Sequence, residues 1–203
     1  DIGGGSIQIS LFDKDTLVST QNLRLGVLRL QELLNHLNAG STQMERLVDE
    51  LATAQLDDYK KLYLKDREIK NIIIVDDYLS PWAVRKAHER GEVNAVVDRK
   101  AFSQLMEALR TKGTTELAKR MDIAEEKVPL VYISAILTRR IAELMGAELV
   151  WAPGVTLCDG IAYEYAEQNK MFRGEHDFAE DIIACAMNIS KRYNGSTRRA
   201  DTL

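Results

Sequence analysis

The sequence predicts an α/β fold in which a mixed sheet is covered by helices, and three observations predict it. Short β-branched runs bounded by charge, such as Ile72-Ile73-Ile74-Val75, have the length of strands. Between them lie longer stretches whose apolar residues recur at helical spacing. The order is hairpin strands, helices, strand, helices, strand, helix, which interleaves the two periodicities as a layered α/β domain requires.

The elements follow from local chemistry. Ile7-Gln8-Ile9-Ser10-Leu11 alternates apolar and polar residues, so residues 1–12 and about 15–25 read as a hairpin around Asp13-Lys14-Asp15. Gly26 opens an amphipathic helix with Val27, Leu30, Leu33, Leu34 and Leu37 on its inward face. Asn38-Ala39-Gly40 ends it, and Ser41 or Thr42 caps a second long helix that reaches Tyr63. Asn71 to Val75 reads as a central strand buried on both faces. The turn Asp76-Asp77-Tyr78-Leu79-Ser80 then places Pro81 in the first turn of the next helix.

Asp98 to Lys112 reads as a helix, and Thr114 and Thr115 cap a short one. Glu125 to Met145 forms another, with Ile133, Ile136, Leu137, Ile141 and Leu144 inward. Glu148 to Trp151 is a strand ahead of the Pro153-Gly154 turn. Asp159-Gly160 leads into a helix through Tyr163 and Tyr165, and Phe178 to Tyr193 is amphipathic. Asn194 to Leu203 is polar and reads as frayed.

Composition narrows the function classes. A chain of 203 residues, 45% hydrophobic and 29% charged, can bury one large core or one core plus part of another. A net charge of −4 argues against a nucleic-acid surface. Cys158 and Cys185 make no ligand-spaced set with the histidines, so no structural zinc site is expected. Few cysteines and the lack of a signal-like segment fit a cytoplasmic protein, and the apolar runs are too short to span a membrane.

The opening Asp1-Ile2-Gly3-Gly4-Gly5-Ser6 carries the functional signal. Consecutive glycines let the backbone take φ > 0 and turn several N–H groups toward one anion. Ser6 adds a hydroxyl donor, and the Asp1 carboxylate is placed to hold a cation, directly or through water. The alternative is an ordinary glycine-rich hairpin turn. A phosphate turn normally follows an apolar strand, and little of one precedes Asp1, so the chain reads as a fragment or an excised domain.

Three motifs in series, Asp1-Ile2-Gly3-Gly4-Gly5-Ser6, Leu25-Gly26-Val27-Leu28-Arg29-Leu30 and Gly154-Val155-Thr156-Leu157-Cys158-Asp159-Gly160-Ile161, resemble the exopolyphosphatase / guanosine pentaphosphate phosphohydrolase (Ppx/GppA) family. The resemblance implies a ribonuclease-H-like lobe of the actin, sugar-kinase and Hsp70 type. By it, residues 1–170 are the second lobe of a two-lobed phosphatase, and 171–203 begin a following helical domain or form a C-terminal helix. The missing first lobe is expected to supply a water-activating glutamate, so no catalytic residue is assigned in this chain. The implied activity is release of terminal phosphate from polyphosphate or guanosine pentaphosphate with Mg²⁺ or another divalent cation. Asp1, and more weakly Gln8, would hold the metal; Gly3, Gly4, Gly5, Ser6 and Arg29 would bind phosphate. A homodimer is a further implication. Hydrogen-bond donors and a cation facing phosphate oxygens suit that chemistry, in which positioning and charge stabilisation dominate. A nucleotide-dependent kinase or ATPase of the same superfamily fits less well, because the glycine-rich turns of the adenosine side are poorly represented.

The chain departs from the family pattern in three turns. Ile7 and Gln8 stand where a threonine and a glutamate are usual, and an amide binds a hard cation more weakly than a carboxylate. After Val75 a glycine-and-threonine turn is replaced by Asp76-Asp77-Tyr78-Leu79-Ser80. Cys158-Asp159 replaces an arginine-and-acid pair. Either the substrate differs, or Asp76 and Asp77 take over metal binding, or the domain is a degenerate, non-catalytic phosphate- or nucleotide-binding regulatory module. Asp76 and Asp77 by themselves read more readily as a solvated turn and helix cap than as ligands.

His36 and His88 lack partners at useful spacing and read as exposed or satisfied histidines. His176 beside Asp177 reads as a helix start, Cys158 as a small buried residue, and Trp82 and Trp151 as core or interface residues.

Overall fold

Ile2 sits at the junction of the strands. In the computed structural model, which describes residues 1–195 except Asp15, Ala39 and Glu175 and leaves out the side chains of Ser41 and Thr42, Ile2 bridges Ile7 antiparallel and Asp76 parallel. Its N–H donates to the Val75 carbonyl at 2.9 Å. The opening segment therefore runs alongside the strand that ends at Asp76, and both chains leave the sheet at the same end.

Strands β1 (Ile7–Asp13) and β2 (Thr16–Leu23) form the expected hairpin; Asp15 of its turn lies outside the described residues. Three short strands, β3 (Asn71–Ile73), β4 (Val96–Asp98) and β5 (Leu149–Trp151), form a sheet in the order β3-β5-β4. β3 pairs parallel to β5 with Ile72 opposite Val150, and β4 pairs antiparallel to it with Val97 opposite Val150. The sheet is thus mixed. β4 is too short to stand out from its flanking charges, and the sequence pattern passes over it.

The helices are α1 (Val27–His36), α2 (Ser41–Tyr59), α3 (Ser80–Glu89), α4 (Arg99–Thr111), α5 (Thr114–Met121), α6 (Val128–Met145), α7 (Leu157–Gln168) and α8 (Phe178–Arg192). α6 is the hub: Ile133, Ala135, Ile136 and Leu137 are wholly buried, against α1, α2 and α4. A fully apolar turn all round a helix marks burial on every side.

Several local expectations are corrected. Leu33 and Leu37 are exposed, because the stripe that α1 buries is Val27, Leu30 and Leu34. Gly40 and Gly113, not the following Ser or Thr residues, occupy the N-cap positions of α2 and α5. α2 ends in one π-type turn, Lys60–Leu64. β3 is not buried on both faces, since Ile73 is 58% exposed. Cys158 is exposed. Pro81 does sit in the first turn of α3, and Asp98 caps α4 by accepting from Ala101 N at 2.7 Å.

The chain divides into two compact units, Asp1–Ile7 with Leu23–Thr156, and Gln8–Asn22 with Leu157–Leu203. This division does not coincide with a boundary at 170/171. The hairpin groups with α7 and α8, and it is tied to α8 by Asp181 Oδ1, which accepts from Leu17 N at 3.2 Å, and by Asn188 Nδ2, which donates to the Val18 carbonyl at 3.1 Å. Asp177 caps α8 through Ala179 N, and His176 pairs with Asp181 across 2.7 Å. No helix among the described residues is long and apolar enough to cross a membrane.

Candidate functional site

Three turns leave the same end of the parallel strands: Gly3 to Ser6 after the Ile2 segment, Asp76 to Leu79 after β3, and Ala152 to Thr156 after β5. In open α/β sheets the carboxyl ends of the strands are where ligands bind.

The triple-glycine turn is closed by Gly3 N donating to Ser6 O at 2.9 Å. Its carbonyls are turned toward α1. Gly3 O accepts from Val27 N at 3.0 Å, and Gly4 O accepts from Leu28 N at 3.0 Å and Arg29 N at 3.2 Å. These are the orphan N–H groups of the helix N-terminus, so the turn caps α1. A trans peptide plane sends its C=O and N–H in opposite directions. With the Gly3 and Gly4 carbonyls held by α1, the Gly4 and Gly5 N–H groups face away from the helix. Neither finds an acceptor among the described residues.

Glycine is required sterically at one point of this arrangement, Gly26, rather than along the turn itself. None of Gly3, Gly4 and Gly5 takes a positive φ. A Cβ on Gly4 would meet only the movable end of the exposed Leu28 side chain, at 2.9 Å from Cδ1, and one on Gly5 would meet nothing within 4 Å. Gly26, which the sequence marks as a helix opening but not as a contact of the turn, is the N-cap of α1. A Cβ there would lie 2.1 Å from Gly5 C and 2.2 Å from Gly4 O.

Arg29 is exposed on the first turn of α1 and donates through Nε to Gly5 O at 3.1 Å. Its two terminal nitrogens have no acceptor among the described residues, which leaves the guanidinium fork beside the turn for a bidentate anion. Gly5 and Asp1 are exposed, and Gly3, Gly4 and Ser6 half-buried. Gln8 is exposed on β1.

Asp76 does not act as a solvated ligand. It is buried: Oδ1 accepts from Ser80 N at 2.6 Å, and Oδ2 from Leu79 N at 2.8 Å and Ser134 Oγ at 2.6 Å. It caps α3 and ties the turn to α6. Asp77 is exposed beside it. Among the described residues no three His, Cys, Asp or Glu side chains gather to hold a metal ion. Mg²⁺ is usually held by one or two carboxylates together with substrate phosphates and water, and the Asp1 carboxylate fits that mode, whereas the described residues make no all-protein cage.

Gly154 takes φ +73, and a Cβ on it would lie 2.6 Å from Val84 Cγ2, so this turn packs against α3. A separate cavity of about 470 Å³ lies between α4, α6 and the amino end of β5, away from these turns. Beside it, Glu45 joins α2 to α4 and α6 by bonding Arg110, Arg139 and Tyr132. The Arg110 guanidinium above all holds the Glu45 carboxyl down at about 2, against partial burial. This cluster is a structural tie.

No family model matches the sequence, and no curated protein matches it. The fold has solved counterparts. The crystal structure of the Aquifex aeolicus member of the Ppx/GppA protein family superposes with a TM-score of 0.67 at 12% identity, covering 84% of this chain and 56% of that one. An exopolyphosphatase from Cytophaga hutchinsonii gives 0.61 at 16% identity, covering 83% and 56%. The type II variant of the Aquifex aeolicus Ppx/GppA phosphatase gives 0.60 at 10% identity, covering 81% and 55%. The chain has the α/β fold of part of these proteins and spans a little over half their length.

Proposed function

We propose that this chain is the second lobe of a Ppx/GppA-type phosphoanhydride hydrolase and that its triple-glycine turn binds a terminal phosphate of inorganic polyphosphate or guanosine pentaphosphate. The observation that carries the reading is the pair of acceptor-less N–H groups at Gly4 and Gly5, set by α1 and flanked by the open fork of Arg29. Ser6 adds a hydroxyl. The positive end of the α1 dipole lies behind the turn and favours an anion in front of it.

Asp1 would hold a divalent cation, with Gln8 as a weak second ligand, and the cation would offset charge on the phosphate oxygens. A glutamate that activates water would come from the part of the fold this chain does not cover. On this reading the isolated chain binds phosphate but does not turn over, and a homodimer of the whole protein is part of the same proposal.

One observation favours a second reading, a non-catalytic phosphate- or nucleotide-binding regulatory module. Asp76 is spent on capping α3, so the turn after β3 offers the ligand no carboxylate from that residue and no glycine. Phosphate release from polyphosphate and from guanosine pentaphosphate, measured on the complete gene product with Mg²⁺, separates the two. Turnover supports the hydrolase, and calorimetric binding without turnover supports the module. Phosphate release by the isolated chain would refute the claim that this lobe needs another.

A further inference from the structure

The cavity of about 470 Å³ between α4 and α6 has a use that the glycine turn does not explain. Its volume falls within the roughly 300–1,000 Å³ of sites that hold whole small molecules. Val97 and Val150, opposite each other in the ladder, line it from the sheet. Phe102 and Met106 of α4 add an aromatic ring and a thioether. Across from them, the short side chains of Ala142 and Ala147 leave the space open.

Three arginines and three carboxylates line the cavity, so its charges balance in number but not in engagement. Arg110 and Arg139 are held by Glu45, and Arg139 also reaches Asp49. Asp98 caps α4, and Glu143 lies 3.6 Å from Arg140 and 3.8 Å from Arg139. Arg99 and Glu148 remain. Both are exposed, and neither side chain has a hydrogen-bond or ion-pair partner among the described residues. They flank the last ladder pair, Asp98 opposite Leu149, so the sheet delivers both to the same edge of the cavity without pairing them to each other. Helix stability does not account for Arg99, because it begins α4, where a cation opposes the helix dipole.

We propose that this cavity binds a zwitterionic small molecule with an apolar body, the class of the large apolar α-amino acids. The ligand carboxylate meets Arg99 and the amino end of α4, and the ammonium meets Glu148 just beyond the carboxyl end of α6. The apolar body lies on Val97, Val150, Phe102 and Met106. One free charge of each sign selects the zwitterion: an anion alone leaves Glu148 unmatched, and a cation alone leaves Arg99 unmatched. The cavity lies at the amino end of β5, whereas the glycine turn lies at the carboxyl ends of the parallel strands, so this site does not depend on the phosphate reading.

Calorimetric titration of the full chain with L-tryptophan tests the proposal. Three comparison ligands accompany it: tryptamine lacks the carboxylate, indole-3-propionate lacks the ammonium, and glycine lacks the apolar body. L-Tryptophan is expected to bind about tenfold more tightly than either indole analogue, the value of one charge-assisted contact, and glycine is expected to give no heat. Arg99→Ala should weaken L-tryptophan about tenfold and leave tryptamine unchanged. Glu148→Ala should weaken L-tryptophan by a similar factor and leave indole-3-propionate unchanged. Both positions are exposed, so both variants keep the fold. Ser103→Phe, at an exposed position on the cavity wall, should remove binding of all three indoles. No heat from L-tryptophan at millimolar concentration, equal affinity for the three indoles, or an Arg99→Ala variant that loses tryptamine as much as L-tryptophan overturns the site.

Discussion

Replacing Gly26 by alanine tests the architecture of the glycine turn most directly. The backbone at Gly26, φ −80 and ψ 148, is one alanine adopts freely, so conformational strain contributes nothing. The whole effect is steric. The new methyl would stand 2.1 Å from Gly5 C, 2.2 Å from Gly4 O and 2.4 Å from Gly4 C, all of them backbone atoms that cannot rotate away. Restoring ordinary contact requires the turn to retreat from α1 by more than an ångström. That displacement breaks the bonds from Val27, Leu28 and Arg29 to Gly3 and Gly4. Three net hydrogen bonds at roughly 0.5–1.5 kcal/mol each give a loss of about 2–4 kcal/mol. This is a large share of the roughly 5–15 kcal/mol that holds a typical domain together. Urea denaturation followed by circular dichroism reads it as a lowered midpoint at constant slope. Gly5→Ala is the control: nothing lies within 4 Å of its added methyl, and it should stay within about 0.5 kcal/mol of the parent. A Gly26→Ala protein as stable as Gly5→Ala would refute the close approach.

Other perturbations follow from the same geometry. Asp76→Ala strands the Leu79 and Ser80 amides and the buried Ser134 hydroxyl, and should cost about 2–4 kcal/mol in the same denaturation experiment; a loss below about 0.5 kcal/mol would show that water replaces the carboxylate. Gly154→Ala meets both a positive φ and Val84 at 2.6 Å, and a drop of about 1–3 kcal/mol is expected, with an unchanged midpoint as the contrary result. Glu45 gives a pH dependence. Its carboxyl is held at about 2 in the fold against an ordinary 4.5, so its stabilisation is complete above pH 4.5 and is lost as pH falls from there toward 2. The stability gap between the parent and Glu45→Gln should therefore shrink between pH 6 and pH 3, and a gap constant over that range would remove the argument.

The sequence legibly marked the elements whose signals are local. Pro81, Asp98 and the run from Ile133 to Ile141 each announce a helix start or a buried face by chemistry within a few residues, and all three stand where that chemistry puts them. The triple glycine was legible as a special turn, yet its physical reason was not. The steric demand falls on Gly26, more than twenty positions along the chain, whose Cβ would meet the backbone of Gly4 and Gly5, and close approach across that distance leaves no local periodicity. Leu33 and Leu37 misled for a related reason: helical spacing fits a broad stripe, and only the packing partner decides which edge of it is covered. Asp76 was legible as a cap or a ligand but not as one rather than the other. The decision rests on Ser134, a polar residue in an apolar helix whose partner is invisible until the fold brings it near.

The peptide planes of the glycine turn are locked from behind by α1 whether or not anything occupies the front. An anion binding there, as proposed, would meet dipoles that need no reorientation, and the ordering entropy of those two units would have been spent when the chain folded rather than at the moment of encounter. Affinity at such a surface is a property inherited from folding stability. Any change that frays the first turn of α1, however far from the anion itself, should loosen its hold before it unfolds the protein.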